Sequence, residues 1–146
     1  MTKAIYAGSF DPPTIGHVDV VAAASKMFDE VFWVVASNPA KKTLLTTEQR
    51  AELTHIMAWE KELENVTTGI VLSPGQSVGD FAKEHKVSIL VRSFRNVTDM
   101  DEELTLCMNN RELFPEIQTV FIPVKQEHMH ISSTAVRYLL SLTGKH

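Results

Sequence analysis

Five short apolar runs recur along the chain, separated by stretches long enough to hold a helix. They are Ala4-Ile5-Tyr6-Ala7, residues 31–36, residues 66–72, Ser88-Ile89-Leu90-Val91 and Thr119-Val120-Phe121-Ile122. Continuous runs rich in β-branched and aromatic residues read as strands covered on both faces. The spacing predicts helices over 14–27, 46–59, 77–85, 101–113 and from Ser132 or Ser133 to 142. Thr46 and Gln49 have capping-box spacing. Helix-length crossovers join parallel strands. The expected fold class is therefore α/β, a five-stranded parallel sheet with helices on both faces. A chain of 146 residues fits one domain spanning 1–146, and no Pro/Gly/Ser stretch divides it.

Composition narrows the function classes. Net charge is −4, from 14 basic and 18 acidic residues, whereas nucleic-acid binders usually carry a basic face. No nucleic-acid partner is expected. Cys107 is the single cysteine, so no intramolecular disulfide forms, which fits a reducing compartment. No signal peptide or membrane-length run is read, and the expected location is cytoplasmic, with no membrane partner.

The stretch Gly8-Ser9-Phe10-Asp11-Pro12-Pro13-Thr14-Ile15-Gly16-His17 links the first strand to the first helix. Backbone N–H groups at a helix start are unpaired and the end is electropositive, so an anion is favoured. Gly16 is read as leaving room for a ligand, and Asp11 as fixing its own turn. The other chemistry-bearing groups also follow strands: Lys41 and Lys42, Arg92 and Arg95, and residues 128–134. In open parallel sheets ligands bind beyond the carboxyl ends of the strands, so one shared site is expected. Each group has a plainer reading. Paired lysines are usually solvated, a histidine there can cap a helix, and a serine is a common N-cap. Two arginines three apart suit a clamp on phosphate oxygens. No G-x-x-x-x-G-K-[ST], no G-x-G-x-x-G and no zinc-ligand spacing is present.

Thr14-Ile15-Gly16-His17 matches the (T/H)-x-G-H signature of the nucleotidylyltransferase superfamily, and Ile131-Ser132-Ser133-Thr134-Ala135-Val136-Arg137 resembles its second signature. With Gly8-Ser9-Phe10-Asp11-Pro12, Lys41-Lys42 and Arg92-Ser93-Phe94-Arg95, the chain resembles bacterial phosphopantetheine adenylyltransferases from residue 3 to about residue 140. The resemblance implies a Rossmann-like nucleotidylyltransferase fold. It implies His17, Lys41 and Arg92 as catalytic residues. ATP would be bound by Ser9, Phe10, Thr14, Gly16, His17, Ser93, Phe94, Arg95, Glu103, His128, Met129, His130, Ile131, Ser132, Ser133 and Thr134. The acceptor would be bound by Ser9, Lys41, Val78 and Arg92, although Val78 is equally plausible as core.

The reaction so implied is attack of the 4′-phosphopantetheine phosphate on the α-phosphorus of ATP, giving dephospho-coenzyme A and pyrophosphate without a covalent enzyme intermediate. Such a reaction needs positioning and electrostatic stabilisation rather than an activated nucleophile. Mg²⁺ would be held mainly by ATP phosphates and water. The resemblance further implies a homo-oligomer, typically a hexamer, and dephospho-coenzyme A or coenzyme A as product or feedback ligand. Rivals are an adenylyltransferase acting on nicotinamide mononucleotide and a nucleotide-binding regulator without turnover. Four features depart from the family pattern: Ser93 where glycine is usual, Ser77 and Gly79 beside Val78, His128 at a commonly aromatic position, and an end at His146.

Overall fold

A computed structural model describes residues 1–37 and 42–142. The elements run β1 (Lys3–Gly8), α1 (Ile15–Met27), β2 (Glu30–Val35), α2 (Thr47–Glu60), β3 (Val66–Val71), α3 (Val78–Glu84), β4 (Ile89–Arg92), α4 (Val97–Leu113), β5 (Gln118–Phe121) and α5 (Ser133–Leu142). The sheet order is β3-β2-β1-β4-β5, and every neighbouring pair is parallel. The expected α/β class is borne out.

β1 is the hinge of this topology. Tyr6 lies opposite Trp33 of β2 on one side and Val91 of β4 on the other. The chain lays β2 and β3 outward from one edge of β1, then crosses over to lay β4 and β5 on the other. The connections therefore diverge between β1 and β4, and a crevice opens beyond their carboxyl ends.

Strand alternation divides the core into two layers. Ala4 and Tyr6 face a cluster with Trp33, Val18, Val21 and Ala24 of α1, and Ala51 and Ala58 of α2. Ile5 and Ala7 face the opposite cluster, with Phe81 and Ala82 of α3 and Leu90 of β4. Burying each valine or isoleucine fully contributes about 1.5–3 kcal/mol. This two-sided burial is why the strands read as unbroken apolar runs.

Gly79 explains one departure noted above. A Cβ there would lie 2.2 Å from Cε2 of Phe114, so the aromatic ring fills the space that a side chain on α3 would take. Ser77 caps the same helix, accepting the Asp80 amide at 3.0 Å.

Most element bounds fall within one residue of expectation. The exception is α4, which starts at Val97 rather than 101. The Asn96 side chain accepts the Asp99 N–H at 2.9 Å and caps the helix early. A single 3₁₀ turn at Gln126–His128 was also not expected; one turn is too short to show a period.

Candidate active site

The loop after β1 is built by distant side chains. Phe10 sits at φ 47°, in the left-handed region, which costs a bulky residue about 1–3 kcal/mol. Its ring is buried against Tyr6 at 5.2 Å, Trp33 at 5.7 Å and His17 at 4.9 Å between centroids, and this packing holds the backbone there. Arg50 of α2, almost fully buried, donates to the Ser9 carbonyl at 2.7 Å. The Asp11 carboxylate accepts the Leu44 and Leu45 amides at 2.8 and 2.9 Å. Asp11 therefore ties its loop to the segment before α2 rather than fixing its own turn, as expected from the sequence.

His17 stands in the first turn of α1, with Thr14 as N-cap. Its Nδ1 atom accepts the Thr14 backbone N–H at 2.8 Å. That bond places the hydrogen of the neutral ring on Nε2. Burial, with lesser contributions from Arg95 and Arg92, lowers the His17 pKa to about 4. At neutral pH the side chain is therefore an uncharged donor with its proton on Nε2, and the ring lines a cleft. The capping reading is met by Nδ1, and the cap does not use Nε2.

Gly16 lines the cleft and has a packing role besides. A Cβ there would come within 3.2 Å of Cγ1 of Val124. Glycine lets the start of α1 close onto the connection after β5, rather than making space for a ligand alone.

The segment after β4 supplies two arginines, each already engaged. Arg92 forms a two-pronged ion pair with Glu103 of α4, Nε to Oε2 at 2.6 Å and Nη2 to Oε1 at 2.7 Å. Its Nη1 donates to the Ala7 carbonyl at 2.7 Å. Burial works against the Arg92 charge, but the Glu103 hydrogen bonds and charge outweigh it and raise the pKa further. Arg95 pairs with Asp99 at 3.1 Å. The Ser93 hydroxyl lies 3.5 Å from that of Tyr6, whose pKa burial raises to about 12; Tyr6 stays protonated.

The two ends of the chain meet at α5. Ser132 is the N-cap: its Oγ accepts the Ala135 amide at 3.0 Å. Ser133 donates to the Pro12 carbonyl at 2.7 Å. Arg137 donates to the Asp11 carbonyl and to Thr134 Oγ1 at 3.0 Å. His128 donates from Nδ1 to Asp19 of α1 at 2.6 Å.

These elements enclose a cleft of about 280 Å³ at the carboxyl ends of β1 and β4. Ser9, Phe10, Thr14, Gly16, His17, Arg92, Ser93, Phe94, Arg95, Glu103, Ile131, Ser132, Ser133 and Thr134 all line it. His128, Met129, His130 and Val78 are not among the lining residues. Val78 packs instead against the core cluster beneath α3. Lys41 lies outside the described residues. Tyr6, Asp99, Glu102 and Arg137 also line the cleft and were not singled out as site residues. Arg137 could have been found, since it ends the second signature; the others carry no local signal.

A cytidylyltransferase-like family profile matches residues 5–139. This chain belongs to the cytidylyltransferase-like family. The phosphopantetheine adenylyltransferase of Methylacidiphilum infernorum (isolate V4) is 37% identical across 99% of this chain and 82% of its own length. Among solved structures, a putative nicotinate-nucleotide adenylyltransferase from Vibrio parahaemolyticus superposes with TM-score 0.68 at 19% identity, covering 100% of this chain and 84% of that one. Nicotinic acid mononucleotide adenylyltransferase from Plasmodium falciparum, complexed with NaAD, also gives 0.68 at 18% identity, covering 94% of this chain and 82% of that one. These structural likenesses show the fold. The resemblance read from the two signatures is thus borne out, and in this cytidylyltransferase-like domain the signatures face one cleft.

Proposed function

We propose that the chain transfers the adenylyl group of ATP to 4′-phosphopantetheine, giving dephospho-coenzyme A and pyrophosphate. One observation carries the reading: a chain 37% identical over 99% of its length to a phosphopantetheine adenylyltransferase brings His17, Arg92 and the start of α5 to a single cleft.

The acceptor phosphate is already an anionic nucleophile, so the protein's task is alignment and charge stabilisation. His17 donates from Nε2 to a phosphate oxygen as the α-phosphorus becomes five-coordinate. Its neutrality at pH 7 lets it do so without holding the pyrophosphate product by charge. The first-turn amides of α5 not taken by the Ser132 cap have no carbonyl partner within the helix and favour the nucleotide phosphates. Arg92 faces the acceptor phosphate and Arg95 the nucleotide. Lys41 is assigned to the acceptor phosphate by the resemblance alone.

Mg²⁺ is proposed to arrive with ATP and to offset charge on its phosphates. The ion's ligands would be mainly phosphate oxygens and water. Among the described residues no helix is long and apolar enough to cross a membrane; a cytoplasmic setting is proposed on the cysteine and substrate chemistry. Coenzyme A or dephospho-coenzyme A would occupy the same cleft as product or feedback ligand. A homo-oligomer, hexameric by the resemblance, would cover the exposed Leu106 and Met108 of α4 and Tyr138 and Leu139 of α5.

The test is an acceptor panel. Pyrophosphate release from ATP should appear with 4′-phosphopantetheine. Release with nicotinamide mononucleotide alone would move the assignment to the rival acceptor. ATP binding with no release from either would make the chain a regulator.

A further inference from the structure

We propose that Glu103 is the positioning residue for the acceptor phosphate, acting through Arg92. This rests on the adenylyl-transfer reading above.

A guanidinium carries five N–H groups in a fixed planar fork. Glu103 takes the Nε and one Nη2 hydrogen, at 2.6 and 2.7 Å, and the Ala7 carbonyl takes one from Nη1 at 2.7 Å. One hydrogen on each terminal nitrogen is left over, so two donors of the fixed fork remain for a phosphate. Both Glu103 oxygens are committed to Arg92. The carboxylate is only 14% exposed, so its orientation is set chiefly by the short charge-assisted bonds to Arg92.

The anchors come from different parts of the fold. Ala7 ends the central strand, Arg92 ends β4, and Glu103 stands on α4. The guanidinium plane is thereby fixed across the switch point of the sheet. A carboxylate on a phosphate-binding arginine weakens its attraction for anions. It makes physical sense where orientation limits the reaction, because a misplacement of about 1 Å can cost on the order of a hundredfold in rate.

The expected signature is therefore a loss of turnover without a loss of affinity. Glu103→Gln keeps the shape but cannot accept from both Nε and Nη2. It should lower kcat on the order of 10- to 100-fold, leave the KM for ATP within about twofold, and not raise the acceptor KM. Glu103→Asp, which keeps the charge, should restore part of kcat. A raised ATP KM with normal kcat would make Glu103 a nucleotide contact and overturn the proposal. Unchanged kcat, or loss in Glu103→Asp equal to that in Glu103→Gln, would overturn it as well.

A second readout needs no turnover and survives failure of the assigned reaction. In ¹⁵N spectra of the whole chain, the Arg92 Nε–H signal, identified by its loss in Arg92→Lys, should persist in wild type with and without inorganic phosphate. In Glu103→Gln it should shift or vanish by exchange with water. An unmoved signal would show that Glu103 does not orient Arg92. Absence of pyrophosphate release by wild type with a normal Arg92 signal would instead refute the assigned reaction.

Discussion

Nδ1 of His17 accepts the backbone N–H of Thr14 at 2.8 Å. This one bond sets the tautomer of the ring, caps α1, and leaves Nε2 as the donor. Removing the ring takes away that donor along with the cap, and the loss of the donor falls on turnover. His17→Ala should reduce kcat on the order of 10²–10³, with ATP affinity changed far less, as read by steady-state kinetics and equilibrium ATP binding. Unchanged turnover would remove His17 from the reaction.

The same burial has a consequence for stability. His17 has a pKa of about 4 in the folded chain against 6.5 for the free side chain. The unfolded chain therefore binds the extra proton first. The contribution of neutral His17 is fully present above pH 6.5 and is lost progressively as pH falls from 6.5 through 4. His17→Asn, which cannot take up that proton, should lose less stability than wild type across this window. Denaturant unfolding at pH 7, 5.5 and 4.5 measures the difference; parallel curves would contradict the shift.

Gly79→Ala should destabilise the fold by about 1–3 kcal/mol, because the new methyl collides with the Phe114 ring. Phe114→Leu in the same chain should recover part of the loss. Additive losses in the double variant would show that the two sites are not in contact.

Asp11→Ala leaves the Leu44 and Leu45 amides without their acceptor. A hydrogen bond to a charged group contributes about 1.5–3 kcal/mol, so thermal unfolding should shift downward. A shift of under about 1 °C would mean that water replaces both bonds at no cost.

How much of this could be read from the residues depended on range. The strands were legible because two-sided burial writes itself as unbroken runs such as residues 31–35. His17, Arg92 and Ser132 were legible because each stands just after a strand or opens a helix, and the motifs mark them. The ties that shape the site were not. Arg50 reaches Ser9 across 41 positions and His128 reaches Asp19 across 109, and no local pattern announces such pairs. The engagement of Arg92 by Glu103 was hidden for the same reason, although both residues were singled out. Gly16 was legible as a glycine with a purpose, but the purpose, close approach to Val124, belongs to a distant segment. The early start of α4 was missed because Asn96 reads equally as a loop residue and as a cap.

The proposed reaction is a single direct displacement at phosphorus, with the protein only aligning two anions. The most direct measurement is the stereochemical course of adenylyl transfer, followed with ATP made chiral at the α-phosphorus by sulfur substitution. The account predicts inversion at that phosphorus in the dephospho-coenzyme A formed. Retention would require two displacements through an adenylylated side chain, and would contradict it.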